Sequence, residues 1–589
     1  MQWKIPGVWV VVAVAGLTFF LGLGSGQLFD EDEPKNAECG REMFERGDWI
    51  VPTFNHELRT EKPVLVYWFM LVSFHLFGVS EFAARFFSAV LGIGTCVFTY
   101  YIGCRLFNRR AGLWAGMVLG SCLMFTAVAR ASTPDSTLIF FTTLSLLLYV
   151  RSRDWSGAQE SITLPQRWYH FLPMYATMAI AVLAKGPVGV LLPCCVIGLF
   201  AYMERIRSDA TVLPAEASRM AKFGQWFKNW LRPVPFFKTT MQMRPDLILL
   251  CVAVIALPWY IAVGVQTDGA WLRGFLGNHN VGRFMQPMEN HSGPPVYYLI
   301  AIMLGFFPWS VFLPLAFVSL SQRHRQGEGD RQSIAFVLGW AGVYIIFFSL
   351  ARTKLPNYVL PCYPALALLT GYLFEACPWD ISSKVAKGYR WAIGSLLTVG
   401  GVLIVALPIT AYFIIPGEYW LGVVGIVPLV GGIIAWRQFH QHRENSARQT
   451  VLVTCVLFVA VFFGFAGPRV SQHQDGAYIV KSLPKDVQDS ASIATFRYSP
   501  PGLVYYAQRK IDVCRTPEDV QEYLSDRNNY LATHVGRWEE IKDSLPKDVT
   551  IITQKQRFLR DHDIIVIGRS ADALDTSMVA EEPSGSVMR

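Results

Sequence analysis

Over most of its first 466 residues the chain carries apolar positions in long unbroken runs, with neither the strict alternation of a half-buried strand nor the narrow stripe of a surface helix. A spanning helix needs about 20 mostly apolar residues, and about thirteen such segments fit between Trp9 and Phe465. The first, "VWVVVAVAGLTFFLGLG", is long and lacks a clear small-residue cleavage site, so it reads as a retained span and not a signal peptide. From about Gly467 the pattern changes to short alternating segments, "ASIATFRY", "VTIITQ" and "HDIIVIG", with polar helical stretches such as "TPEDVQEYLSDR". The expected organisation is a mainly α membrane domain over 1–466, a soluble α/β domain over 467–572, and a polar, disordered tail over 573–589.

Composition agrees: 52% of the 589 residues are hydrophobic, 16% are charged, and the mean hydropathy is +0.32. The basic residues orient the spans. "CRLFNRR", "RSRD", "SQRHRQ", "WRQFHQHR" and the segment from Arg205 to Arg244 are expected to be cytoplasmic. The loops between them then face outward: "RASTPDST", "LAKGP", "GNHNVGRF", "ARTKLPNY" and the C-terminal domain. The net charge of +8 follows from this asymmetry, and no nucleic-acid motif accompanies it. The eleven cysteines are scattered, with Cys39 and Cys514 expected to face outward, and form no disulfide or zinc framework.

The first outward segment, 27–79, opens on "FDEDEPKNAE", four consecutive acids at the exit of the first span. "NAECGREMFERGDWI" and the aromatic "KPVLVYWFMLVSFHLFG" read as two helices lying in the membrane interface and roofing a cavity. A carboxylate at the mouth of such a cavity can serve as a general base; equally, loop acids are usually solvated and inert. Asp135 in "STPDST" reads either as a second functional carboxylate or as part of a helix start. Lys62, Lys185, Arg283 and Lys354 recur on the same face, where each alone could be an interfacial anchor and together they suit an anionic phosphate.

The stretch from "DEPKNAE" through "REMFERGDW", "EKP" and "YWF", followed by "LAKGP", "HNVGRF", "PPVYYLIAIMLGFFPW" and "TKLPNYVLPCYPALALL", resembles the bacterial lipid A aminoarabinose transferases, within the larger group that includes protein O-mannosyltransferases. The resemblance runs from about Phe29 to Leu369. It implies an inverting membrane glycosyltransferase of the GT-C fold that uses a polyprenyl-phosphate-linked sugar. It implies Asp32 as catalytic carboxylate with Glu33 beside it, Asp135 at the second acidic position, Lys62 on the donor phosphate, and Arg283, Lys354 and Tyr358 near the same cavity. The residues around Asp135 depart from the family's Leu-Asp pattern. One base, cations on a departing phosphate and no second carboxylate acting as nucleophile agree with inverting transfer. No Gly-rich nucleotide cradle is present, as suits a lipid-linked donor.

Glu61 and His279 could share a zinc or magnesium ion, but two ligands are too few to define a site; His291 reads as a loop histidine. A transporter would show repeated halves and ionisable groups at mid-membrane, and neither pattern is present. A non-catalytic scaffold would have no need of a base facing cations. The donor sugar (aminoarabinose, another pentose or a hexose) and the acceptor (lipid A, another glycolipid, a protein hydroxyl or a cell-envelope polymer) stay open. The chain is read as a monomer among membrane lipids, in a bacterial inner membrane, with its site facing the periplasm.

Overall fold

A computed structural model describes residues 6–29, 31–153, 155, 164–208, 220, 232–282, 293–294, 296–325, 331–376, 386–483, 491–526, 528–559 and 562–569. Asp30, Arg283, His291 and the 573–589 tail lie outside the described residues. The chain divides into two compact units. Met1–Gly26 with Cys39–Arg469 forms the first, and Gln27–Glu38 with Val470–Arg589 forms the second.

The first unit is helical. Seven described helices are long and apolar enough to span a bilayer, and two bent pairs, Arg109–Leu119 with Leu123–Ala129 and Tyr297–Gly305 with Trp309–Leu320, bring the number to nine. Apolar helices of 13 to 17 residues stand beside these: α1 (Gly7–Phe20), α3 (Leu65–Phe77), α7 (Asp135–Arg151) and α8 (Phe171–Lys185). At 1.5 Å per residue each is shorter than about 30 Å of hydrocarbon.

Small residues bring these helices together, as expected where burial against lipid supplies little driving force. Between α4 (Glu81–Leu106) and α5 (Arg109–Leu119), a Cβ added at Gly103 would stand 2.6 Å from the Gly112 Cα. One added at Gly371, on the helix Tyr363–Ala376, would stand 2.5 Å from the Ala111 carbonyl oxygen. Gly371→Leu is therefore expected to push the helices apart at a cost of about 1–3 kcal/mol, seen as a lower midpoint for heat-induced loss of monodisperse protein in detergent. Local signals set the helix starts: the Ser80 side chain accepts from the Ala83 N–H to begin α4, and Asn108 accepts from Arg110 and Ala111 to begin α5. Arg130, only 9% exposed, donates to the carbonyls of Thr18, Phe19 and Leu21 at 2.8–3.1 Å, satisfying groups that α1 leaves open at its C-terminus.

The first outward segment carries buried polar groups. Its leading helix, α2 (Asp32–Arg46), buries its polar residues: Asn36, Glu38, Arg41 and Glu42 are at most 2% exposed. Glu42 accepts from the Thr53 hydroxyl and the His56 N–H. This ties α2 to a hairpin that amphipathicity did not reveal, β1 (Thr53–Phe54) with β2 (Glu57–Leu58). Its turn residues Asn55 and His56 both have positive φ, as a two-residue hairpin turn of this hand requires. Trp49, between α2 and the hairpin, and Leu58 on β2 are exposed.

The second unit contains a mixed five-stranded sheet in the order β4-β3-β5-β7-β6. β3 (Ser492–Phe496) runs parallel to β4 (Asp512–Cys514) and β5 (Asn529–His534), whereas β7 (Ile564–Arg569) is antiparallel to β5 and β6 (Val549–Lys555). β3, β6 and β7 coincide with the alternating segments of the sequence. Its core collects Phe496, Leu531, Ile565 and Ile567 against Val520 and Leu524. The helix Pro517–Tyr523 starts in a capping box between Thr516 and Asp519. Cys39 and Cys514 are both buried within the protein, and burial pushes their thiols up to about 12 and about 11. The ten described cysteines are free thiols.

Candidate functional site

Two helix ends of the first unit build the polar wall of a cavity. "LAKGP" ends α8 at Lys185 because Gly186 takes φ +79°, its N–H donating to the Val182 carbonyl, while Pro187 precedes α9 (Val188–Ser208). A lysine in that last turn complements the negative end of the helix. α7 begins at Asp135, and its N-cap, Pro134, supplies no side-chain cap. Asp135 does not cap the helix with its carboxylate. It pairs with Lys185 through Oδ1 and accepts from Asn357 Nδ2 through Oδ2 at 3.0 Å. The two side chains are 6% and 17% exposed, so the carboxylate is held by a charge-assisted bond in a largely dry setting. The Lys185 ammonium also sits 5.0 Å over the Tyr358 ring.

The cavity they face measures about 360 Å³ and is walled by Leu138, Leu191, Phe275, Phe347 and Phe348. Glu61, Lys62, His279 and Tyr358 line it as well. Lys62 lies just before Pro63 at the approach to α3, and the Lys62 charge acts on Asp135. His279 and Phe275, four residues apart on the helical segment Arg273–Gly282, both reach the wall. Glu61 accepts from Arg59 at 3.3 Å, and the Arg59 carbonyl accepts from Trp271 Nε1 at 2.9 Å. A slot with an aromatic and aliphatic wall and two ammonium groups at one end can hold an anionic head whose tail is hydrocarbon.

Lys354 is placed differently from the other predicted cations. Its ammonium donates to the carbonyls of Ser349 at 2.8 Å and Ala351 at 3.1 Å, at the end of the helix Arg331–Leu350, and lies 5.8 Å from the Tyr298 ring. Its neighbours Thr353, Asn357 and Tyr358 reach the cavity wall instead. Asn357 is the site residue that the sequence reading did not single out, and the pairing of Lys185 with Asp135 was not legible there. "LAKGP" marks a helix end, and "PNY" places Asn357 next to Tyr358, but neither motif shows which polar group it meets. Glu61 and His279 share the wall, yet Glu61 is engaged by Arg59, and no group of three His, Cys, Asp or Glu among the described residues could hold an ion. Among the described residues, Glu61 and His279 alone are too few donors to define a zinc or magnesium centre.

Asp32 and Glu33 open α2 and count with the second unit. Both stand in the first turn, where carboxylates are favoured by the helix dipole. Glu33 is buried and its Oε2 accepts from the Phe29 N–H at 2.7 Å, fixing the turn into the helix. Asp32 is exposed. The adjacent acids therefore differ: one braces the turn and the other is exposed.

Residues 61–216 match the family described as dolichyl-phosphate-mannose-protein mannosyltransferase. The undecaprenyl phosphate-alpha-4-amino-4-deoxy-L-arabinose arabinosyl transferase of Serratia proteamaculans is 29% identical over 482 residues, 79% of this chain and 77% of the relative. The protein of the same name from Yersinia pestis is 26% identical over 470 residues, 77% and 75% of the two chains. The crystal structure of ArnT from Cupriavidus metallidurans bound to undecaprenyl phosphate has the same fold, with a TM-score of 0.73, 22% identity, and coverage of 96% of this chain and 98% of that one.

Proposed function

We propose that this chain, a membrane glycosyltransferase related to the lipid A aminoarabinose transferases, moves a sugar from undecaprenyl phosphate or a similar polyprenyl phosphate onto lipid A or another envelope glycolipid. The named relatives support the reaction class, and their resemblance extends over three quarters of the chain. The observation that carries the donor class is the cavity with an apolar wall and the Lys62 and Lys185 ammoniums at its polar end. We place the reaction at the periplasmic face of the inner membrane, in a bundle of up to about thirteen spans, with the chain acting as a monomer and the α/β unit facing outward.

In the reaction so read, an acceptor oxygen attacks the anomeric carbon from the face opposite the phosphate. The proton of that oxygen goes to Asp32, the C1–O bond to phosphate breaks, and polyprenyl phosphate leaves with the electron pair. No covalent intermediate forms, so the configuration at C1 inverts. Lys62 and Lys185 stabilise the charge that grows on the departing phosphate. Asp135 and Asn357 hold Lys185 in place, Tyr358 covers its ammonium, and Glu33 keeps the turn that presents Asp32. Arg283 is proposed as a further cation near the phosphate, and Lys354 as a brace for the loop that carries Asn357 and Tyr358. No step is assigned to zinc or magnesium. A protein O-mannosyltransferase-like use of protein hydroxyls is the alternative, and the match over 61–216 favours it as the second reading.

The donor site can be tested without turnover. Undecaprenyl phosphate at about 100 times its dissociation constant is expected to stabilise the detergent-purified chain by about 2.7 kcal/mol, read as a raised melting temperature, whereas undecaprenol, lacking the phosphate, gives a much smaller rise. Equal shifts from both lipids would show that the ammonium groups do not recognise the donor head.

A further inference from the structure

The second unit holds a cavity of its own, of about 540 Å³, within the range of roughly 300–1,000 Å³ common for small-molecule sites. It opens at the carboxyl ends of β3 and β5, parallel neighbours in the sheet. The chain leaves β3 towards β4 on one side and leaves β5 towards β6 and β7 on the other. Such a reversal opens a crevice above the strand ends, the place where ligands bind in open α/β sheets. His534 ends β5, and Tyr498 stands two residues beyond β3. The fourth side is the segment that leads into α2: Leu28, Phe29, Glu31 and Lys35 line the cavity, and the Leu28 N–H donates to the Tyr506 hydroxyl at 2.8 Å.

The lining combines paired charges, hydroxyls and aromatic rings. Arg557 donates to Asp475 at 3.3 Å and to the Tyr498 hydroxyl at 2.7 Å, with its guanidinium 4.7 Å from the Tyr498 ring. Lys35 pairs with Glu31 at 3.1 Å. Two acids, Glu31 and Asp475, thus balance two cations, Lys35 and Arg557, so the formal charge of these lining groups is zero. Burial and the neighbouring Arg557, Arg537 and His562 push His534 down to about 4, leaving it neutral at neutral pH. A wall without net charge gives a polyanion no advantage, whereas carboxylates, a guanidinium and hydroxyls set among the rings of Phe29, Tyr498 and Phe558 suit a saccharide: its hydroxyls bridge acid and base while its C–H face lies on an aromatic ring.

We propose that this cavity binds the saccharide head of the acceptor. Glu31, on its wall, is the chain neighbour of Asp32, so a sugar held there would be positioned by the same short segment that carries the proposed base. The inference rests on the transferase reading for its purpose, but saccharide binding can be measured apart from transfer. Ser499 is exposed and lines the cavity outside the Arg557 network, so substitutions there leave the fold's polar contacts in place. In full-length Ser499→Cys, maleimide labelling of the residue-499 peptide, read by mass spectrometry, is expected to slow several-fold with millimolar chitobiose and not with inorganic phosphate. Ser499→Trp is expected to raise the KM for a glycolipid acceptor about tenfold, the loss of roughly 1.4 kcal/mol, with the donor KM unchanged. Protection by phosphate and not by the saccharide would make this an anion site and overturn the proposal. Labelling indifferent to both, or an unchanged acceptor KM in Ser499→Trp, would overturn it equally. Should the wild type transfer no sugar while chitobiose still protects position 499, the transferase reading fails and the saccharide site stands.

Discussion

Asp32→Asn is expected to lower kcat for sugar transfer by about 10²–10⁴-fold, the range lost with a positioned general base. The amide keeps the size and the place of the side chain at the head of α2 and removes only its ability to take the acceptor's proton. Undecaprenyl phosphate should therefore still raise the melting temperature of the variant, and the amount of folded protein should match wild type. Glu33→Gln is the internal control. The Glu33 side chain accepts the Phe29 N–H at 2.7 Å, and a glutamine oxygen can accept the same bond, so transfer should fall far less. Near-equal losses in the two variants would mean that Asp32 has no special role and that the acids act only on the helix start.

Lys62→Met is the second large effect. Removing one cation from the leaving phosphate is expected to cost about 10²–10³-fold in kcat/KM, comparable with the loss of a single donor from an oxyanion-stabilising site. The methionine stem preserves much of the packing at the approach to α3, so heat stability should change little. Stabilisation by undecaprenyl phosphate should shrink. Lys354→Met separates a cation that meets the substrate from one that braces the fold. Its ammonium is already committed to the Ser349 and Ala351 carbonyls, so its loss should show first as a lower melting temperature of the unliganded chain. If Lys62→Met and Lys354→Met behaved alike in both readouts, the division of labour drawn from their contacts would be wrong.

Much of the architecture is legible in the chain because long apolar runs have one stable outcome in a bilayer, and alternating runs such as "HDIIVIG" have one in a sheet. Local punctuation is equally readable: the glycine and proline of "LAKGP" stop one helix and start the next where the structure has them. Burial of polar residues is harder to see. α2 has the mixed charges of a surface helix, and the Thr53 hydroxyl and His56 N–H that meet Glu42, with Arg46 one turn on, explain why that carboxylate lies inside. Cations on one outward face likewise look interchangeable in sequence. Lys185 and Lys354 are distinguished by what lies within reach of their ammoniums, a buried carboxylate for one and two main-chain carbonyls for the other. Asn357 escaped notice for the same reason, since its partner, Asp135, is more than two hundred residues away in sequence.

The central claim is most directly tested by incubating the purified wild-type chain with undecaprenyl phosphate carrying a radiolabelled sugar of known anomeric configuration, together with lipid A, and analysing both products. The predicted result is label transferred to the glycolipid with inverted configuration and free undecaprenyl phosphate released in equal amount. Label that stays on the polyprenyl lipid, or that reaches the acceptor with its configuration retained, would contradict the account.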